Sequence, residues 1–435
     1  MTDSVGRIYA CYDPPLGTYH TLAKMTTLDN FKALLRSRKK AAATGQTSLD
    51  AQQRRERHLH LSNRLENFIW LLNHPPVALA PKLSKHPGVD APDDRALVIR
   101  VMKAYRSAMR QFSSSGGGWD DWHFNLKKPI HDALVGDDVE AASKILRDPA
   151  SSTFFFGFDA VASSPAGEPE PHQLVIARLN QSAKWQDLYA IWLCDALVSL
   201  AEAVGARRVS YPEIDMDANL TSEAPSIDID GILNDIDEAL GIQLAFPNPF
   251  PDELGLPSKR GVIGFRALQA VYQGWRIAQL ANKNKDFRVL EIGAGLGRTA
   301  DFASQLGIKH YSIVDIPLTS AAQGYFLGRV HGAENVALGG ENSPAKFKIL
   351  PSVEFSQHNE KYDLVVNIDS WTEMPRSVSE MYWAFCRQAT RTVLSINHEY
   401  NPHTVRDLYS KYTDVQATRH PYPMRRGYVE EIICW

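Results

Sequence analysis

The stretch VLEIGAGLGRTADF, residues 289–302, joins an apolar run to three glycines and then to a helical pattern. Val289, Leu290 and Ile292 suit a strand, while Gly293, Gly295 and Gly297 permit backbone bends that a Cβ would oppose. Open α/β sheets use such a strand-to-helix turn to meet a ligand outside the carboxyl ends of their strands. The spacing discriminates between ligands. A dinucleotide fingerprint, G-x-G-x-x-G, uses its third glycine for close helix–strand packing, and that position is Arg298 here. No G-K-[ST] follows to cradle phosphates. The strand carries Glu291 near its end instead, and a carboxylate beside the turn suits a ligand with positive charge and little phosphate.

The pattern continues downstream. Strands are expected at 288–293, 310–316, 347–350, 362–368 and 392–397, with helices at about 297–307, 318–330 and 376–390 between them. Near-continuous apolar strands separated by helices predict an α/β fold with a Rossmann-like, mostly parallel sheet covered on both faces. YTDVQATRH and GYVEEIICW suit an antiparallel hairpin at its edge. GFRALQAVYQGWRIAQLA, before the first strand, places Leu268, Val271, Trp275 and Ala278 on one helical face.

Upstream, residues 28–112 read mostly as helix, and 185–204 as a helix with Leu193, Leu197, Leu200 and Val204 in one stripe, ended by Gly205. SSSGGG at 113–118 and SSPAGEPEPH at 163–172 read as loops, the first a flexible joint. Pro129 is placed for a helix start. Pro247, Pro249, Pro251 and Pro257 disfavour helix in AFPNPFPDELGLPS, residues 245–258, and suggest an extended connector. The organisation expected is therefore a mainly helical region over 1–255 and a ligand-binding α/β domain over 256–435.

A chain of 435 residues, 44% hydrophobic and 22% charged, can bury a full core, and its net charge of -3 gives no bulk attraction to nucleic acid or an anionic membrane. The basic clusters at Arg36, Arg38, Lys39 and Lys40 and at Arg54, Arg55 and Arg57 lack interleaved aromatics and read as solvated helix faces. Cys11, Cys194, Cys386 and Cys434 form no C-x-x-C pair, which argues against a disulfide framework or a zinc knuckle and for reducing cytoplasm. Neither a signal pattern nor a membrane span is apparent.

S-adenosylmethionine fits the turn: it carries a sulfonium, an ammonium and a ribose diol. The diol needs a carboxylate at the end of the next strand, and Asp315 in HYSIVDIP stands about 20 residues on. A helix N-cap before Pro317 is the alternative for Asp315. After the fourth strand, NIDSWTEMP gathers Asn367, Asp369, Ser370, Trp371, Thr372 and Glu373 ahead of Pro375; after the fifth come Asn397, His398 and Glu399. A hydroxyl is a poor nucleophile until its proton is shared, and histidine is matched to that task near neutral pH. His398 could instead bond backbone at a strand end, and Asp369 and Glu373 could cap the next helix. Trp371 reads as core by type, while its polar loop suits a stacking platform. A divalent metal on Asp369, Glu373 and another oxygen is compatible with the pattern but not expected, and His58 and His60 point apart on a helix.

VLEIGAGLGRTA, YSIVDIPLTSAAQGYFL and DLVVNIDSWTEMP resemble the glycine turn, the D-[IL]-P segment and the N-x-D-S-aromatic-x-E-M segment of class I S-adenosylmethionine-dependent methyltransferases, more narrowly the bacterial sugar O-methyltransferases. The similarity is clearest over 260–400, looser in WDDWHFNLKKPIHDAL and PNPFPDELGLPSKRGVIGFRALQAVY, and absent before about residue 110. It implies methyl transfer to a sugar hydroxyl of a glycan or glycosylated natural product, with the helical region covering the acceptor. Glu291, Gly293, Gly295, Gly297, Asp315, Ile316 and Asn367 are then the expected cofactor residues, and Asp369, Glu373 and His398 face the acceptor. A homo-oligomer is left open. Two alternatives stand: a nicotinamide-dependent sugar oxidoreductase or epimerase, disfavoured by Arg298 and by the lack of Tyr-x-x-x-Lys (Tyr325 precedes Arg329, Tyr382 precedes Cys386), and a non-catalytic partner protein that kept the fold.

Overall fold

The computed structural model describes residues 81–90, 93–112, 125–155, 159, 183–209, 227–352 and 359–435. All belong to the second of two units into which the chain divides, Asn73–Trp435. The basic clusters, the paired histidines, Cys11 and the loops at 113–118 and 163–172 lie outside the described residues.

The chain order is β1 (Ser84–Pro87), α1 (Arg95–Met109), α2 (Lys128–Val135), α3 (Val139–Arg147), α4 (Ala183–Ala203), α5 (Ile229–Leu240), β2 (Pro251–Ser258), β3 (Gly261–Ile263) and α6 (Phe265–Ala281). Then follow β4 (Arg288–Ile292), α7 (Arg298–Gln305), β5 (His310–Asp315), α8 (Pro317–His331), β6 (Val336–Ala337), β7 (Phe347–Pro351) and β8 (Leu364–Ile368). The chain closes with α9 (Arg376–Ala389), β9 (Thr392–His398), α10 (Val405–Tyr409), β10 (Gln416–Pro421) and β11 (Tyr428–Cys434).

Eight strands form one sheet in the order β10-β11-β9-β8-β4-β5-β7-β6. Pairings from β9 to β6 are parallel; β11 runs antiparallel to both β9 and β10, so the expected α/β fold and edge hairpin are both present. Successive strand residues feed opposite faces. Val289, Ile313, Leu364, Val366 and Leu394 join one apolar cluster, and Leu290, Ile292, Val314, Val365 and Val393 join another. Burial on both faces is what the near-continuous apolar strand sequences encode. The chain leaves β4 toward β5 and returns on its other flank at β8. That reversal opens a crevice at the carboxyl end of β4, where the glycine turn sits.

Pro129 stands in the first turn of α2, and Gly205 follows α4 with φ +80°. Two upstream expectations need correction. Residues 84–87, inside the stretch read as helix, are strand, and 251–258 is no free connector but the middle strand of a small antiparallel sheet, β1-β2-β3. Pro251 opens that strand, where a missing amide donor is tolerated, and Leu254 and Leu256 are buried. One apolar cluster runs from Leu97 on α1 through Leu197 on α4 and Leu256 on β2 to the sheet residues Val289 and Leu394. The described helices α1, α4 and α5 and the sheet thus share a core.

Candidate active site

The turn after β4 is built on left-handed backbone: φ is +72° at Gly293, +57° at Gly295 and +90° at Gly297. These angles strain any residue with a Cβ, and at Gly293 a Cβ would also collide with the Ser370 hydroxyl. Hydrogen bonds from Gly293 N–H to the Val314 carbonyl (2.9 Å) and from Gly297 N–H to the Ala294 carbonyl (2.9 Å) fix the bend.

Asp315 ends β5 beside it. Its carboxylate accepts from the Ile316 amide (2.8 Å) and from Gln323 Nε2 (2.7 Å), and Gln323 Nε2 also donates to the Gly295 carbonyl (2.8 Å). Burial pushes Asp315 up to about 7, against these donors and the Ala294 and Gly295 amides, which favour its charged form. Asp315 is not a helix cap, because Ile316 holds the N-cap position of α8 and no side chain caps that end. Glu291 is buried one strand away; burial raises it to about 8, the Tyr311 hydroxyl bonded to it (2.9 Å) pulls it down, and nearby Asp315 raises it further. Two carboxyl groups poised near neutrality thus face one cleft, and a cation placed there would favour their ionised forms.

The cleft encloses about 770 Å³ of empty space, part of it open to solvent. Its lining joins Glu291, Gly293, Gly295 and Asp315 to Asp369, Ser370 and Glu373. The sequence-predicted cofactor and acceptor residues therefore meet across one concavity. Three of the expected cofactor residues stand elsewhere. Asn367, expected among the cofactor residues, is fully buried and spends its amide internally: Nδ2 donates to the Ile292 carbonyl (2.8 Å) and Ser370 Oγ (2.7 Å), and Oδ1 accepts from Asn397 Nδ2 (2.9 Å). It joins β4, β8 and β9 rather than lining the cleft. Gly297 packs against Leu327 as the N-cap of α7, and Ile316 contributes its amide to Asp315; neither lines the cleft.

Across the cleft Asp369 has φ +55°, an uncommon conformation for a residue with a side chain. Its carboxylate accepts from the Tyr428 hydroxyl (2.7 Å) and Arg425 (3.2 Å), with Arg266 3.7 Å away. His398, at the end of β9, lies 3.7 Å from Glu373 and 3.8 Å from Asp369, edge-on to the Tyr428 ring. The hydrogen-bonding Glu373 carboxylate raises the His398 pKa, Asp369 adds to this, and burial and Arg425 oppose it. Asp369 and Glu373 form part of the wall, with His398 behind them. Neither acid caps α9, whose N-cap is Pro375, with no capping side chain and no acid in the first turn. One donor atom from each of Asp369, Glu373 and His398 lies within 4.8 Å of the others, a set that could hold a cation. Two guanidinium groups already offset the Asp369 charge, so no chemical step is routed through a metal.

Trp371 is core. It is completely buried, edge-on to Trp383, and presents no ring face to the cleft.

The sequence reading missed several wall residues. Arg266, Gln269 and Gln273 come from α6 at helical spacing, a polar stripe that was legible. Thr319 lines the cleft from the first turn of α8, and its buried hydroxyl makes no hydrogen bond among the described residues. Arg298, noticed only for the glycine it replaces, is buried between Asp159 (3.0 Å) and Glu253 (3.2 Å), carboxylates 139 and 45 positions away in sequence.

No protein-family model and no curated protein matches the chain. Solved structures do match part of it. The magnesium protoporphyrin IX methyltransferase of Synechocystis PCC 6803 with bound SAM is 17% identical over 39% of this chain and 83% of its own, with a TM-score of 0.28. The methyltransferase domain of a bacterial Hen1 protein is 12% identical over 38% and 99%, with a TM-score of 0.28. Precorrin 8W decarboxylase of Methanobacterium thermoautotrophicum is 14% identical over 37% and 88%, with a TM-score of 0.26.

Proposed function

We propose that this protein is an S-adenosylmethionine-dependent O-methyltransferase acting on a sugar hydroxyl in a glycan or glycosylated natural product. One observation carries the reading: a glycine turn flanked by Glu291 and Asp315 shares a single cleft with the Asp369 and Glu373 carboxylates, behind which His398 is held. Asp315 is placed to accept from a ribose diol, and Glu291 to offset a cationic ligand in an environment that hydration no longer reaches. The residues therefore fit an adenosyl sulfonium. When bound, that cofactor supplies an electrophilic methyl carbon and leaves as a neutral thioether.

The chain's own contribution is alignment and proton handling. Glu373, whose Oε1 lies 3.7 Å from His398 Nε2, holds the acceptor hydroxyl and takes its proton as the methyl is transferred, and the imidazole beside it steadies the carboxylate. Arg266, Arg425 and Tyr428 fix Asp369, which keeps the imidazole oriented. General-base help of this kind is typically worth about 10² to 10⁴ in rate. The sugar assignment is supported by the motif resemblance and by the polar character of the acceptor-side wall. The helical region, residues 1–255, is proposed to cover the acceptor.

The test is incubation with methyl-labelled S-adenosylmethionine and a panel of free sugars, nucleotide sugars and oligosaccharides. Label retained as an alkali-stable ether supports the reading. Label lost on mild alkaline hydrolysis identifies a carboxylate ester and overturns the O-methyl ether assignment.

A further inference from the structure

We infer that Gln323 is a positioning residue that locks the Gly295 carbonyl and the Asp315 carboxylate into one preformed grip on the ligand's ribose. The inference rests on the cofactor reading above and adds a residue to it.

Gln323 lies in the second helical turn of α8 and is fully buried. Its single Nε2 amide spans two elements: one hydrogen bond goes to the glycine turn after β4 (2.8 Å) and the other to the carboxylate that ends β5 (2.7 Å). Its Oε1 makes no hydrogen bond among the described residues. Buried polar atoms are ordinarily paired, and Gln323 stands on a helix that sends Leu318, Ala321, Ala322, Phe326 and Leu327 into the apolar core. An apolar side chain would fill the same place without stranding an acceptor. What the amide adds is the double donation.

A carboxylate with several rotamers must be ordered before it can accept two hydroxyls, and an amide that already holds it removes that cost at the moment of binding. The Ile316 amide takes Oδ1 while Gln323 takes Oδ2, so both oxygens are fixed and the remaining lone pairs are directed in common. The same Nε2 prevents the glycine turn from drifting relative to Asp315. Gln323 also favours the charged carboxylate against its burial, because it donates only to an acceptor. Gln323 does not line the cleft, so its influence reaches the ligand through its two partners.

The experiment uses the full chain and two ligands, S-adenosylhomocysteine and its 2′,3′-dideoxy analogue, with Gln323→Leu and, as an independent replacement of similar shape, Gln323→Met. Calorimetric Kd values are measured from pH 6 to 8, with melting temperatures to confirm folding. Wild type is expected to prefer the parent ligand by at least tenfold. Each variant is expected to lose most of that preference, to bind the dideoxy analogue nearly as wild type does, and to shift the pH midpoint of parent-ligand binding upward. On an Asp315→Ala background Gln323→Leu is expected to have no further effect. Variants that bind both ligands more weakly by one common factor, with an unmoved pH midpoint, overturn the positioning role while leaving the cofactor reading intact. Wild type that binds neither ligand overturns both.

Discussion

Affinity for S-adenosylhomocysteine should rise with pH between 6 and 8, because the group that grips the ribose must be ionised to accept from it. Burial holds Asp315 at about 7. A carboxyl titrating there is roughly one-tenth ionised at pH 6 and nine-tenths ionised at pH 8, so the dissociation constant should fall about tenfold, or ~1.4 kcal/mol. Glu291, raised to about 8, should extend the rise slightly beyond that interval. Stability of the ligand-free protein runs the other way. A carboxyl whose folded pKa lies above its unfolded value contributes stability that is fully present below the unfolded value and lost as pH climbs through the folded one. From pH 5 to 8, therefore, these two groups lower the ligand-free melting temperature while the ligand-induced increase grows. Calorimetric titration at pH 6, 7 and 8 at constant ionic strength, paired with thermal melts, measures both trends. Asp315→Asn should bind weakly with no such slope. A flat wild-type affinity over this range, equal to that of Asp315→Asn, would refute the assignment of Asp315 as the grip.

Three further outcomes are expected. Glu373→Gln removes both the group that takes the acceptor's proton and the main cause of the raised His398 pKa, so turnover should fall by about 10² or more and the imidazole, followed by NMR, should titrate at lower pH; an unmoved titration contradicts the pairing. Trp371→Ala should cost about 3–5 kcal/mol of stability, measured by denaturant unfolding, since the ring is wholly buried. Any variant that folds at reduced temperature should keep the wild-type affinity for S-adenosylhomocysteine. Gly293→Ala should reduce affinity and stability together, by more than about 1 kcal/mol each, because φ is +72° and the new Cβ meets Ser370; a variant indistinguishable from wild type by both calorimetry and melting would show that the turn tolerates a side chain.

Much of the sheet was legible because its signals are local. Apolar strands of four to seven residues, each followed by a helical pattern, place β4, β5, β7, β8 and β9 within two residues of where they stand. Asp369 and Glu373, expected together from the loop after one strand, both line the cleft. What failed to appear was non-local. Strand β1 is a tetrapeptide, SKHP, whose partner Gly255 stands far along the chain, and nothing in four polar or proline residues announces that pairing. The sequence around β2 advertises its prolines and conceals its burial. Trp371 sits in a polar loop by sequence, yet the loop folds it inward beneath α9, where Ser379 Oγ donates to its carbonyl (2.7 Å). Asn367 looked like a ligand contact because it ends a strand; its amide instead supports the strands around it. Gln323 lay inside an apolar helix pattern, and only the distances to Gly295 and Asp315 give it a role.

The central claim is that the glycine turn and Asp315 together hold an adenosyl sulfonium. Titrating the full chain with S-adenosylmethionine and, separately, with NAD at pH 8 tests it most directly. The account predicts saturable one-site binding of S-adenosylmethionine that Asp315→Ala weakens by roughly 1.5–3 kcal/mol, and no binding of NAD. Binding of NAD with none of S-adenosylmethionine would contradict it.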